Sequence, residues 1–316
     1  MKVHRCFACE ESNPDRIVSA AGDGWTLQFV ERFAAVPGRV QGGTAIGALI
    51  CPALQLAGRK GMLHPVPLQV TGRLIRPVPL GKPLRCSVDP ADGGSRVQVH
   101  EDSQVVLDGL VKVADLQTEP GSMLQEAPPE RTGDLTVLAE LIGVEIEGPT
   151  ISDHWRQSYE AAGLPVLQHN CFGCSEAEGT LKLRLRIARR GMIWARWEPE
   201  PVFSDGNGRL AATIIASALD CATLHAINAD DPEILARMLK EKKFWTTGTY
   251  GVRFLRVPPV QIEGGYRIGA RYLGGDSRKF FAMSALFDRQ GTVYAIGEAV
   301  LIFFNFQGDS PFMKDG

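Results

Sequence analysis

Between Leu181 and Ile187 the chain alternates without a break: Leu181, Leu183, Leu185 and Ile187 are apolar, while Lys182, Arg184 and Arg186 are charged. A period of two puts one set of side chains on a buried face and the other in water, which predicts a half-buried β-strand. Met192 to Glu198 reads as a second strand. Leu210 to Asn228 is different: it is rich in Ala, free of Gly and Pro, and apolar almost all round, which predicts a largely buried helix. Alternating runs then return at Thr247 to Val257, Val260 to Leu273, Lys279 to Asp288 and Thr292 to Phe304. The first part of the chain carries the same order of elements, with strands near Trp25 to Phe33, Val66 to Arg76, Pro83 to Val88, Ser95 to Glu101 and Gln104 to Val113. They surround a helix predicted from Gly43 to about Gly58.

The repetition extends to individual residues. His169, Cys171, Phe172 and Cys174 lie 165 positions after His4, Cys6, Phe7 and Cys9. Cys221 in ATIIASALDCA lies 170 after Cys51 in GGTAIGALICPA, and Arg256 in FLRVPPV lies 180 after Arg76 in LIRPVPLG. The offset grows because the second copy carries an extra charged stretch near Asp230 to Phe244. An internal duplication divides the chain into residues 1–116, a connecting segment 117–168, residues 169–306 and a tail 307–316. Gln117 to Arg131 is rich in Pro, Glu and Gln and reads as an exposed linker, with a helix expected between Leu135 and Ala162.

Composition narrows the function classes. Of 316 residues, 44% are apolar and 22% charged, enough for a sizeable core. The 34 basic and 36 acidic residues leave a formal charge of −2, so no global field recruits nucleic acid or an anionic membrane. The basic start lacks an apolar segment behind it, and the longest uncharged run, Val40 to Gly58, is interrupted by Gly, Gln, Thr and Pro. Neither a signal peptide nor a membrane span is expected, and seven cysteines, an odd number, fit reduced thiols in a cytoplasmic protein.

The CFxC loop opening each copy, the Gly-Gly pair at the first helix start, the acid within the second helix, and RPVPLG after the long strand resemble the hotdog-fold acyl-CoA thioesterase superfamily. The resemblance covers roughly Cys6 to Val113 and Cys171 to Phe304. It implies an α+β fold: two tandem hotdog units, each a curved antiparallel sheet around a central helix, packed as a pseudo-two-fold dimer with sites at the interface. It also implies an acyl-CoA thioester as substrate, with coenzyme A as part of that substrate and no separate cofactor. Double-hotdog chains of this kind are compatible with further homo-oligomers. A non-catalytic acyl-ligand binding module and a hotdog hydratase or dehydratase are the alternative functions.

The family pattern pairs a Gly-Gly helix start with a carboxylate some seven residues later. Here the first copy has Gln41-Gly42-Gly43 followed by Ile50, and the second has Ala211-Ala212-Thr213 followed by Asp220. Seven residues span about 10 Å along a helix, too far for one helix to bring both groups to one carbonyl. Two antiparallel helices can do so, which predicts a composite site of Gly43 and Asp220, with a dead twin of Thr213 and Ile50. Asp220 is the expected base or nucleophile and the Gly43 amide the expected oxyanion donor. Gly42, Gln41 and Asn207 are candidates to orient substrate or water, and Arg76 and Arg256 to receive the phosphates of coenzyme A.

Two further patterns carry chemistry. Cys6, Cys9, Cys171 and Cys174 have the spacing of a four-thiolate zinc site, set against buried free thiols as the simpler expectation, and Cys51, Cys86 and Cys221 read as core residues. Asp220 and His225 form D-x4-H, but five helical residues point about 140° apart, so the two are not expected to share a substrate.

Overall fold

The computed structural model describes residues 7–10, 13–22, 24–36, 38–56, 67–91, 93–113, 123–124, 135–161, 171–205, 207–231, 234, 241, 243–276 and 278–305. The first copy contains β1 (Val18–Ala21), β2 (Gly24–Leu27), a 3-10 turn at Glu31–Phe33, β3 (Ala34–Val36), β4 (Arg39–Val40), α1 (Gly42–Gly47), α2 (Ile50–Leu56), β5 (Leu68–Leu74), β6 (Leu84–Ala91), β7 (Gly94–Glu101) and β8 (Gln104–Val113). Helices α3 (Leu135–Ala139) and α4 (Ile151–Ala161) precede the second copy. That copy contains β9 (Arg186–Arg189), β10 (Met192–Trp197), a 3-10 turn at Pro201–Phe203, α5 (Ala212–Asp230), β11 (Lys243–Phe254), β12 (Tyr266–Gly275), β13 (Lys279–Phe287) and β14 (Val293–Asn305).

Twelve strands form one antiparallel sheet in the order β1-β2-β6-β7-β8-β5-β11-β14-β13-β12-β10-β9. Read inward from either edge, the order is the same set of elements in the two copies, and the copies meet where β5 pairs with β11. At the centre of that pairing Thr71 faces Gly251, two positions 180 apart, the same offset that separates Arg76 from Arg256. Backbone bonds recur with it. Ile75 and Arg76 both donate to the Val106 carbonyl, and Leu255 and Arg256 both donate to that of Tyr294. Gln41 donates to the Phe33 carbonyl and Ala211 to that of Phe203.

The helices pack against this sheet. Leu49 packs where Gly109 in β8 leaves space, since a Cβ there would stand 2.4 Å from its Cδ1, and Leu219 packs against Gly297 in β14. α5 is apolar enough to pass for a membrane span, yet 94% of its most apolar window is buried inside the fold. The single helix expected from Gly43 to Gly58 is broken into α1 and α2. Pro52 cannot donate to the Ala48 carbonyl, so the i to i−4 ladder is interrupted at that turn. Leu181 to Leu185 forms no paired strand, since Lys182 takes a φ of 51° and Leu185 N–H turns back to the Leu183 carbonyl, so only Arg186–Arg189 pairs as β9; β1 precedes the first strand expected in its copy. Much of Gln117 to Arg131 lies outside the described residues. Met123 and Leu124 within it are buried, 9% and 4% exposed, and Met123 N–H donates to Glu298, so this part of the expected exposed linker is packed on the sheet.

Candidate active site

α1 and α5 cross at close range because the first helix presents glycines to the second. A Cβ at Gly43 would stand 2.4 Å from the Ala216 carbonyl oxygen and 2.5 Å from the Asp220 Cβ, and one at Gly47 2.9 Å from the Thr213 Cα. No larger residue fits those positions without parting the helices. The hydroxyls of Thr44 and Ser217 meet at 2.7 Å across the crossing, and the Ser217 hydroxyl donates to the Thr213 carbonyl at 2.8 Å.

This approach carries the Asp220 carboxylate to the start of α1. Its Oδ2 accepts from the Gly43 backbone N–H at 2.8 Å and from Gln41 Nε2 at 2.8 Å, and its Oδ1 accepts from the Thr247 hydroxyl at 2.8 Å. Gln41 is fixed in turn as the N-cap of α1. Its Oε1 accepts from Thr44 N–H at 2.8 Å, and its Nε2 also donates to the Ser217 carbonyl at 3.0 Å. Donors from both copies thus orient one acid, and three donors leave at least one of the carboxylate's lone-pair directions unfilled.

Asp220 is 2% exposed, Gln41 3% and Thr247 4%, whereas Gly42 is only partly buried and forms the edge of the site toward solvent. A Cβ on Gly42 would lie 3.2 Å from Asp220 Oδ2, 3.1 Å from the Thr247 Cβ and 3.2 Å from Leu74 Cδ1. Burial pushes the Asp220 pKa up to about 6, held back by the hydrogen bonds from Thr247 and Gly43, with the nearby Cys171 adding a smaller upward push.

The structure therefore unites Gln41, Gly42, Gly43 and Asp220, and adds Thr247, which strand periodicity alone presents as an ordinary polar position. It changes the role expected of Gly43. An amide has one proton, and that of Gly43 points at Asp220 Oδ2, so it positions the carboxylate rather than standing ready for an oxyanion. Asn207, Arg76 and Arg256 are exposed and are not among the partners of Asp220. The Asn207 backbone N–H donates to Asp205 Oδ1, in a loop outside the carboxylate network.

The cysteines assemble differently from the four-thiolate set across two loops. Cys6 lies outside the described residues, and the cluster that forms is Cys171, Cys174 and Cys221, with sulfurs all within 4.8 Å of one another. The reason is local: Gly173 rests against α5, where a Cβ would meet the Cys221 sulfur at 2.5 Å, so the second CxxC loop meets the helix of its own copy. Cys221 is thus more than core filler. His225 also turns away from Asp220, with Nε2 3.5 Å from the Cys174 sulfur and Nδ1 3.1 Å from Asn228 Nδ2.

No protein-family profile matches the sequence, and no curated protein matches it. Solved structures do. A protein assigned as a thioesterase II from Thermobifida fusca YX shares 12% identity over 92% of this chain and 96% of its own, with a TM-score of 0.50. The CurJ dehydratase in an inactive mutant form shares 12% over 96% and 98%, with a TM-score of 0.54. The PpsC dehydratase domain from Mycobacterium tuberculosis, in complex with C12:1-CoA, shares 12% over 91% and 97%, with a TM-score of 0.52. The chain has the hotdog fold. Both thioesterases and dehydratases use the hotdog fold, so the likeness fixes the scaffold and leaves chemistry to the side chains.

Proposed function

We propose that the chain is an acyl-CoA thioesterase built from two tandem hotdog units about a pseudo-two-fold axis, with one working site of Gln41, Gly42, Gly43, Asp220 and Thr247. The observation that carries this reading is a buried carboxylate oriented by donors from both units beside the one partly exposed glycine of the crossing. Asp220 takes a proton from a water at its unfilled lone pair. The resulting hydroxide adds to the thioester carbonyl, the tetrahedral oxyanion collapses, and the thiolate leaves with the proton that Asp220 returns. Gly42, at the first position of α1, has no helical partner for its N–H and is the donor available to the oxyanion. Arg76 and Arg256 are retained as candidate contacts for the phosphates of coenzyme A.

The thioesterase assignment of the Thermobifida protein and the acyl-CoA held by the PpsC domain favour this substrate class. A hydratase or dehydratase reading is weaker, because His225 serves Cys174 and Asn228 and not the Asp220 site. The test is a panel of acyl-CoA esters of different chain length and ring content, followed by release of free thiol. Saturable hydrolysis of at least one member that fails in Asp220→Asn is the expected result. Binding of acyl-CoA with no turnover across the panel would replace the enzyme with a binding module.

A further inference from the structure

Three thiols gathered in an apolar interior are an unusual use of cysteine. Cys171, Cys174 and Cys221 are 6%, 2% and 1% exposed, and their sulfurs lie within 4.8 Å of one another. They are thiols rather than disulfides. Mutual contact and burial push the Cys174 and Cys221 thiols well above the ordinary range. Their arrangement is also duplicated in the sequence. Cys6, Cys9 and Cys51 stand at the positions corresponding to Cys171, Cys174 and Cys221, so six of the seven cysteines belong to two copies of one pattern and only Cys86 is left over.

We infer that Cys171, Cys174, Cys221 and His225 form a structural zinc site that ties the second CFxC loop to α5. A tetrahedral zinc with Zn–S near 2.3 Å and Zn–N near 2.0 Å sets sulfurs about 3.8 Å apart and nitrogen about 3.5 Å from sulfur. The three sulfurs lie within 4.8 Å of one another and the Cys174 sulfur lies 3.5 Å from His225 Nε2; the imidazole, which is not that close to all three sulfurs, must swing toward them as they contract for all four to meet such an ion. Cys221 and His225 are four residues apart on α5 and so project from one helical face, while the loop supplies the other two ligands. Four protein ligands leave no open position, which makes the site structural rather than catalytic.

The surroundings of the histidine fit the same role. Asn228 is 7% exposed and its Oδ1 has no hydrogen-bond partner among the described residues, whereas Nδ2 points at His225 Nδ1. Which end of an amide is oxygen is an assignment. With the amide turned over, Oδ1 accepts from Nδ1–H and the Nε2 lone pair faces the sulfurs, the tautomer a metal ligand needs. Binding balances as three thiol protons released to solvent for one divalent ion taken up, leaving a net charge of about −1 on the centre. Copper(I) on the same ligands would leave a charge of about −2 in a dry interior beside Asp220, which favours the dication. This inference is independent of what Asp220 catalyses.

The experiment uses the full chain purified under reducing conditions without chelator, dialysed, and analysed for metals together with X-ray absorption at the zinc edge. The expected result is bound zinc with a sulfur-rich shell containing nitrogen, loss of one equivalent of zinc in Cys221→Ser, and no change in Cys86→Ser. Asn228→Ala should weaken zinc retention about tenfold against a competing chelator while leaving stoichiometry intact. Should Cys221→Ser fail to fold, the absorption shell of the wild type and zinc rebinding by chelator-stripped wild type decide. Equal zinc in wild type and a folded Cys221→Ser, a shell of nitrogen and oxygen alone, copper in place of zinc, or metal-free protein that takes up none would each overturn the site.

Discussion

At the start of α1, Gln41, Gly42 and Gly43 stand with Asp220 and Thr247; at the start of α5 the corresponding residues are Ala211, Ala212 and Thr213, and the counterparts of Asp220 and Thr247 are Ile50 and, across the bulge at Gly248, Leu68. The backbone of the two helix starts is the same, down to the bonds from Gln41 to Phe33 and from Ala211 to Phe203. Every polar member on one side is apolar on the other, and Ile50, 2% exposed, fills its place as fully as Asp220 does. The molecule therefore contains its own control. A hotdog crossing of this kind closes without a buried acid, so the Asp220 network is an addition to the fold and not a requirement of it. Buried carboxylates cost desolvation, and a cost that the twin avoids points to function.

The sharpest way to break the comparison is to make the working side resemble its twin. Asp220→Asn keeps the shape and removes the base, and turnover should fall by about 10²- to 10⁴-fold in kcat with KM nearly unchanged. Retained hydrolysis would mean that the two sides differ in sequence but not in chemistry. Thr247→Val removes one donor from Oδ1 without altering bulk. A fall in kcat of roughly 10- to 100-fold is expected, smaller than for Asp220 because Gln41 and Gly43 still hold Oδ2. An effect confined to KM would place Thr247 in substrate binding instead.

The cost of the acid is measurable separately. Burial holds Asp220 at about 6, above the roughly 3.9 of a free Asp. A raised folded pKa means that the native state binds this proton more tightly than the unfolded state. Stability is then fullest below pH ~4 and is lost as pH rises through 6, by about 3 kcal/mol for an isolated group. Asp220→Asn should be more stable than wild type to urea at pH 8, with the advantage vanishing near pH 4. An advantage of equal size at both pH values would attribute it to packing.

Gly43 distinguishes the two sides by space rather than charge, since Thr213 carries a side chain at the matching position. Gly43→Ala should cost about 1–3 kcal/mol, because its Cβ would strike the Ala216 carbonyl and part the helices. The cost should appear in thermal unfolding as well as in turnover. A neutral effect would show that α1 and α5 separate easily.

How much of this was legible in the sequence depends on whether a feature is local or assembled. Most of the strands and the long helix α5 followed from periodicity and from the duplication, whereas the alternation from Leu181 to Leu185 did not become a paired strand and β1 was not expected. The union of Gly43 with Asp220 followed from helix arithmetic applied to the Gly-Gly and acid pattern that the hotdog resemblance implied, because each copy kept only half of a pattern that one helix cannot serve. Thr247 was not legible: in β11 a Thr is an unremarkable strand residue until the sheet is laid over α5. The break at Pro52 was present in the sequence, yet the apolar run around it outweighed the missing N–H. The burial of Met123 and Leu124 was masked by the Pro, Glu and Gln around them. The cysteine cluster was half legible, since the CxxC spacing was plain but its third partner, Cys221, was hidden in an apolar helix until the loop folded onto it.

The smallest effect is the one that completes the control. Ile50→Val trims a methylene from a buried position and should cost about 0.5–1.5 kcal/mol of stability, with kcat and KM unchanged. Ala211→Ser should likewise leave turnover within experimental error, because a hydroxyl at that helix start finds neither an acid at Ile50 nor a donor at Leu68. Both are read by thiol release alongside Asp220→Asn under identical conditions. If either twin-side change lowers kcat as the working-side changes do, substrate must reach both helix starts. The chain would then hold two sites, and the loss of polar residues around Ile50 would mark a second specificity rather than a dead half.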